Sequence, residues 1–83
     1  MTEAVPGAVF AALARQLQMP EDQLVLRQRE GLDRLGLDSH GLMRVLLDIE
    51  RALKLPTSLQ LDDAALATPA SLVAGVASAT GSA

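Results

Sequence analysis

The chain has no cysteine, no tryptophan and no tyrosine, and only one phenylalanine, Phe10, and one histidine, His40. Without cysteine no disulfide can form. With a single imidazole and no thiolate, a zinc site needing three or four protein ligands is not expected. The balance of charge lacks a basic excess: seven Lys+Arg stand against ten Asp+Glu, a net charge of −3. An acidic chain with no basic patch and no aromatics to stack on bases is a poor nucleic-acid binder. No apolar run approaches the roughly 20 residues of a membrane-spanning helix. The first residues carry Glu3 and Pro6 and no basic stretch, unlike a secretory signal. We therefore expect a soluble, cytoplasmic protein that binds neither nucleic acid nor membrane.

What is present is aliphatic. Hydrophobic residues make up 49% of the 83 positions, enough for one domain with a modest core of leucine, valine and alanine. Leu and Ala are strong helix formers, so the expected class is all-α. Residues 1–6 read as a loose N-terminus, 7–79 as the folded unit and 80–83 as a tail. A first helix is expected from Gly7 to Gln18, with Phe10, Leu13 and Leu17 on one face and Pro20 as its stop. Residues 19–38 read as a long connection, in which Glu21-Asp22 begins at most a turn. Leu32, Leu35 and Leu37 would pin that connection down, and Gly31 and Gly36 would let it turn sharply.

A second helix is expected from Ser39 to Leu53. Leu42, Leu46, Ile49 and Leu53 recur at i, i+4, i+7, i+11 and form its core stripe, with Val45 widening it. Met43 and Leu47 make a flanking, half-buried apolar pair. Arg44, Asp48 and Arg51 share a polar face at ion-pair spacing, and Glu50 with Lys54 form an i, i+4 pair. Pro56 would end the helix, and a short helix is expected around Asp62–Leu66. Thr68-Pro69 is the clearest start signal in the chain, an N-cap followed by proline at the first helical position. It opens a last helix with Leu72, Val73 and Val76 inside. The sum is a small bundle of three main helices and one short one.

The stretch Leu35-Gly36-Leu37-Asp38-Ser39-His40 brings a hydroxyl, a carboxylate and an imidazole together in sequence. These are the residue types of a hydrolytic triad, but neighbours at a helix start do not face one another, and a triad is assembled in space. The nucleophile elbow G-x-S-x-G also fails, because Leu37 stands at the first glycine position. Nothing else converges on a reaction centre, so we expect a protein that is not an enzyme. The first turn of a helix does suit a phosphate, since its N–H groups lack intrahelical partners and the helix dipole is positive there. Ser39 is thus a candidate attachment point for a phosphate-linked arm. Asp38 is the candidate N-cap.

L-G-L-D-S before an amphipathic helix, in a small acidic all-helical chain, resembles the acyl carrier protein family. The resemblance spans roughly residues 8–78 and implies a four-helix bundle. It also implies that Ser39 carries 4′-phosphopantetheine, transferred from coenzyme A by a phosphopantetheinyl transferase, with Asp38 beside it helping to position the donor. Leu55-Pro56-Thr57-Ser58-Leu59 and Thr68-Pro69 followed by Leu72 are similar to the matching stretches of polyketide-synthase carriers. The implied role is to ferry thioester-bound intermediates, in polyketide or other specialised-metabolite biosynthesis, among a ketosynthase, an acyltransferase or ligase, and a thioesterase. A monomer is implied.

Two features depart from the family pattern: His40 stands where leucine usually follows the serine, and Arg44 and Arg51 interrupt a helix face that is usually acidic. By position, His40, Met43, Arg44, Leu47 and Arg51 are candidate partner contacts. An aminoacyl or peptidyl carrier of nonribosomal synthesis would share the fold and the arm. A helical interaction module that is never modified is the rival from another class, and Ser39→Ala separates it from a carrier. The initiating Met and the small-residue tail lead us to expect a free-standing chain.

Overall fold

The computed structural model describes residues 4–55 and 58–80. Four helices follow in order: α1 (Ala4–Leu17), α2 (Glu21–Leu26), α3 (Ser39–Ala52) and α4 (Pro69–Ala79). No strand occurs among the described residues. The expected all-α bundle of three longer helices and one short helix is what forms, but the short helix is α2.

α1 is the hub, and α2, α3 and α4 each pack chiefly against it. Val5, Val9, Phe10, Ala12 and Leu13 line its buried side. It begins three residues earlier than expected, because Pro6 lies in the first turn, where a missing N–H costs nothing. Residues 4–6 are therefore helical and not loose; residues 1–3 lie outside the described residues. Gln18, in the left-handed conformation at φ 54°, ends the helix before Pro20 is reached, and Met19 N–H donates back to the Ala14 carbonyl at 3.1 Å.

The long connection contains structure that apolar periodicity could not reveal. Extended Pro20 leads into α2, a helix of only six residues with Glu21 and Asp22 in its first turn. Leu24 is its single buried residue, while Leu26 is 79% exposed. Beyond it, Arg27 makes two hydrogen bonds to the Glu30 carboxylate, at 3.0 and 2.9 Å. That bonding holds Glu30 below its ordinary range and raises Arg27. Leu32, Leu35 and Leu37 are buried, as expected of pins. Two backbone bonds tie the connection to the C-terminal part: Leu32 N–H to the Ala67 carbonyl at 2.8 Å, and Ala70 N–H to the Gln28 carbonyl at 2.9 Å. Gly36, at φ 99°, supplies the left-handed residue that turns the chain toward α3.

α3 is buried along Gly41, Val45 and Ile49, so the expected Ile49 and Val45 are inside but the three leucines of the expected stripe are not its centre. Leu42, Leu46 and Leu53 are half-buried flanks. The stripe is rotated because Gly41 turns its bare face toward α1 and Leu37: a Cβ there would meet Leu37 Cδ1 at 3.0 Å and Gln16 Nε2 at 3.2 Å. Met43 and Leu47, expected to be half-buried, are consequently exposed at 61% and 48%.

Lys54, left-handed at φ 53°, closes α3, with Leu55 N–H donating to the Glu50 carbonyl at 3.0 Å. Pro56 lies outside the described residues and is not needed for that stop. Lys54 has left the helix, so the expected Glu50–Lys54 pair does not form. Glu50 instead accepts the Leu59 N–H at 3.0 Å.

The expected helix at Asp62–Leu66 is a single turn at 63–66, capped by Asp62 accepting from Ala65 N–H at 2.9 Å. α4 begins where expected, with Leu72 and Val76 fully buried and Val73 partly so.

Candidate functional site

Asp38 is the N-cap of α3. Its backbone is extended and its Oδ1 accepts the Gly41 N–H at 2.7 Å, so one orphan donor of the first turn is satisfied. The absence of a side chain on Gly41 matters here too, since an added Cβ would sit 3.1 Å from the same Oδ1.

Because Asp38 caps, Ser39 does not have to. Ser39 is the first residue of α3 and is exposed. Its hydroxyl makes no hydrogen bond among the described residues. The N–H groups of Ser39 and His40 are likewise without a protein acceptor there. The start of a 14-residue helix therefore presents one free hydroxyl beside two free amide donors at its positive end. That donor set fits a phosphodiester carried on Ser39.

A groove of about 620 Å³ opens next to this hydroxyl, with Leu32, Leu37, Leu42, Met43 and Leu66 among its walls. It lies between the connection, α3 and the turn before α4.

His40 and the polar face of α3 lie on the other side. His40 is exposed, and its Nε2 accepts from Arg44 Nε at 3.3 Å. The expected pairing of Asp48 within α3 is replaced by a bridge to α1, from Arg15 Nη1 to Asp48 Oδ2 at 3.2 Å. No local pattern marks Arg15, since a cross-helix pair depends on how two helices are docked.

His40, Met43, Arg44, Leu47 and Arg51 line one groove of about 660 Å³ between α1 and α3, together with Arg15, Gln16 and Asp48. The structure thus brings all five partner-contact candidates together. It separates them from the apolar groove at Ser39, except for Met43, which borders both. Among the described residues no group of three or more His, Cys, Asp or Glu side chains could hold a metal ion. No helix among them is long and apolar enough to cross a membrane.

The family model for the phosphopantetheine attachment site matches residues 8–76, which include the whole of the geometry above. No curated protein matches the chain, and no solved structure does. With the family model covering most of its length, the chain belongs to the phosphopantetheine attachment-site family, whose members are carrier proteins bearing a covalent 4′-phosphopantetheine.

Proposed function

We propose that Ser39 is the residue that carries the phosphopantetheine arm. The observation that carries this reading is the division of labour at the start of α3: Asp38 takes the capping role, at 2.7 Å from Gly41 N, and leaves the neighbouring hydroxyl exposed and unbonded. In the loading step, Ser39 Oγ forms a bond to the phosphorus nearer the pantetheine of coenzyme A. The bond to the other bridging phosphate breaks, and adenosine 3′,5′-bisphosphate leaves. The hydroxyl proton passes to a base supplied by the transferase. The free amides of Ser39 and His40 would then face the phosphodiester, with Asp38 beside Ser39 on the same groove. When bound, the arm supplies a thiol that holds cargo as a thioester.

The bundle itself is read as non-catalytic. It tethers the cargo and so raises its effective concentration at each partner enzyme. We take residues 7–79 as the carrier unit, monomeric and cytoplasmic. The cargo is assigned to polyketide or related specialised-metabolite biosynthesis, with a ketosynthase, an acyl-loading enzyme and a thioesterase as partner classes. Support for that assignment is the likeness of Leu55–Leu59 and of Thr68-Pro69 with Leu72 to polyketide-type carriers; Pro56 and Thr57 lie outside the described residues.

The test is intact-mass spectrometry after incubation with coenzyme A, magnesium and a broad-specificity phosphopantetheinyl transferase. Gain of one phosphopantetheine by the wild-type chain and none by Ser39→Ala is the expected result. Modification that persists in Ser39→Ala would place the arm on another residue. The loaded chain, offered an acyl-transferring and an aminoacyl-adenylating enzyme in parallel, would then report its cargo class.

A further inference from the structure

The chain carries net negative charge, yet the groove between α1 and α3 is positive. Arg15 and Asp48 offset each other at 3.2 Å, with the arginine side chain 70% exposed. Arg44 and Arg51 line the same groove, are exposed, and belong to no ion pair among the described residues. His40 lines the groove too, and its ring accepts from Arg44 Nε at 3.3 Å. Met43 and Leu47 sit among these cations as the exposed apolar side chains of α3. Apart from Asp48, the acidic residues among the described ones lie elsewhere: Glu21 and Asp22 at the start of α2, Glu30 bonded to Arg27, Asp33 and Asp38 in the connection, Asp62 and Asp63 before α4. Glu50, although on α3, is directed to the Leu59 backbone.

We propose that this α1–α3 face docks a partner protein whose contact patch is acidic, with carboxylates set around an apolar side chain that enters between Met43 and Leu47. The partner is an enzyme that acts on the carried cargo, and that clause alone rests on the carrier reading. Charge complementarity selects the occupant. Two unpaired guanidiniums suit bidentate carboxylates, and opposed charge steers encounter and rejects partners with basic patches. A second copy docked two-fold on the same face would set Arg44 and Arg51 against their own kind. A nucleic acid or an anionic membrane would meet the acidic remainder of a chain of net charge −3.

The test titrates the isotope-labelled full chain, followed by amide NMR shifts, with two helical peptides. Both carry a leucine stripe, one flanked by glutamates and its twin by lysines. The glutamate peptide is expected to shift Arg15, Met43, Arg44, Leu47 and Arg51, to bind at least about tenfold tighter than the lysine peptide, and to weaken as salt is raised. The double variant Arg44→Glu/Arg51→Glu should reverse that preference. The milder Arg44→Gln/Arg51→Gln should abolish it while circular dichroism shows an unchanged fold.

Equal binding of the two peptides, preference for lysine, or shifts confined to other faces would overturn the proposal. So would α3 shifts that grow with protein concentration alone, which would identify a second copy as the occupant. Ser39→Ala is expected to bind the glutamate peptide as wild type does. Failure of the docking face and failure of Ser39 as the attachment point are therefore read in separate experiments.

Discussion

α3 and α4 begin with the same plan and end up with opposite chemistry. In Asp38-Ser39-His40-Gly41-Leu42 and Thr68-Pro69-Ala70-Ser71-Leu72, the first residue caps and the fourth donates to it, at 2.7 Å from Gly41 and 3.0 Å from Ser71. At α4 every group is then consumed. Pro69 has no N–H and is fully buried, Ala70 N–H goes to the Gln28 carbonyl at 2.9 Å, and the Ser71 hydroxyl binds the Thr68 N–H and the Ala65 and Thr68 carbonyls. At α3 the corresponding positions are exposed Ser39, exposed His40 and a glycine with no side chain to spend. A helix start is a structural joint when its donors are bonded and its serine is folded inward. It can hold a phosphate when the cap alone is satisfied and the rest faces water.

The largest test of this contrast is made at the fifth position. Leu72 is fully buried and Leu42 only partly so. Leu72→Ala should cost about 2–5 kcal/mol in denaturant unfolding, and Leu42→Ala roughly 1–2 kcal/mol. Equal losses would mean that the α3 start is as firmly seated as that of α4, and the contrast would fail.

Both starts were legible in the sequence, because a cap residue followed by a periodic apolar run is a local signal. The burial axis of α3 was not. Val45 and Ile49 are inside as expected, but only the docking of α1 against Gly41 decides that Leu42, Leu46 and Leu53 are half-buried and that Met43 and Leu47 face water. α2 was missed because six residues with one buried leucine show no period. The short helix expected at Asp62–Leu66 is held to one turn, capped by Asp62, because Thr68-Pro69 starts a new helix at once. Asp38 was readable as the cap of α3 and Ser39 as the residue after it, and His40, Met43, Arg44, Leu47 and Arg51 only by position. Their convergence on one groove with Arg15 required the fold.

The caps themselves sharpen the comparison at smaller cost. Asp38→Ala and Thr68→Ala should each lose about 1 kcal/mol by chemical denaturation. Ser71→Ala should lose about the same, since it strips three hydrogen bonds from a half-buried hydroxyl. Asp38→Ala should also slow phosphopantetheine loading, because the Ser39 hydroxyl would compete for the vacated Gly41 N–H. Thr68→Ala should leave loading unchanged. A loading defect in Thr68→Ala as large as that in Asp38→Ala would show that overall stability, and not the local cap, governs access to the hydroxyl.

The smallest expected effect is the most telling. Ser39→Ala removes an exposed hydroxyl that makes no hydrogen bond among the described residues. Alanine is also a good residue inside a helix. The unfolding midpoint should therefore move by no more than the equivalent of about 0.5 kcal/mol in either direction, while loading is lost entirely. Ser71→Ala should show the reverse: a measurable loss of stability and full loading. A residue kept for the fold resists removal, and a residue kept for modification does not. A loss above about 1 kcal/mol in Ser39→Ala would mean that its hydroxyl caps α3 after all. The separation of cap from attachment point, on which the reading of this helix start depends, would then have to be given up.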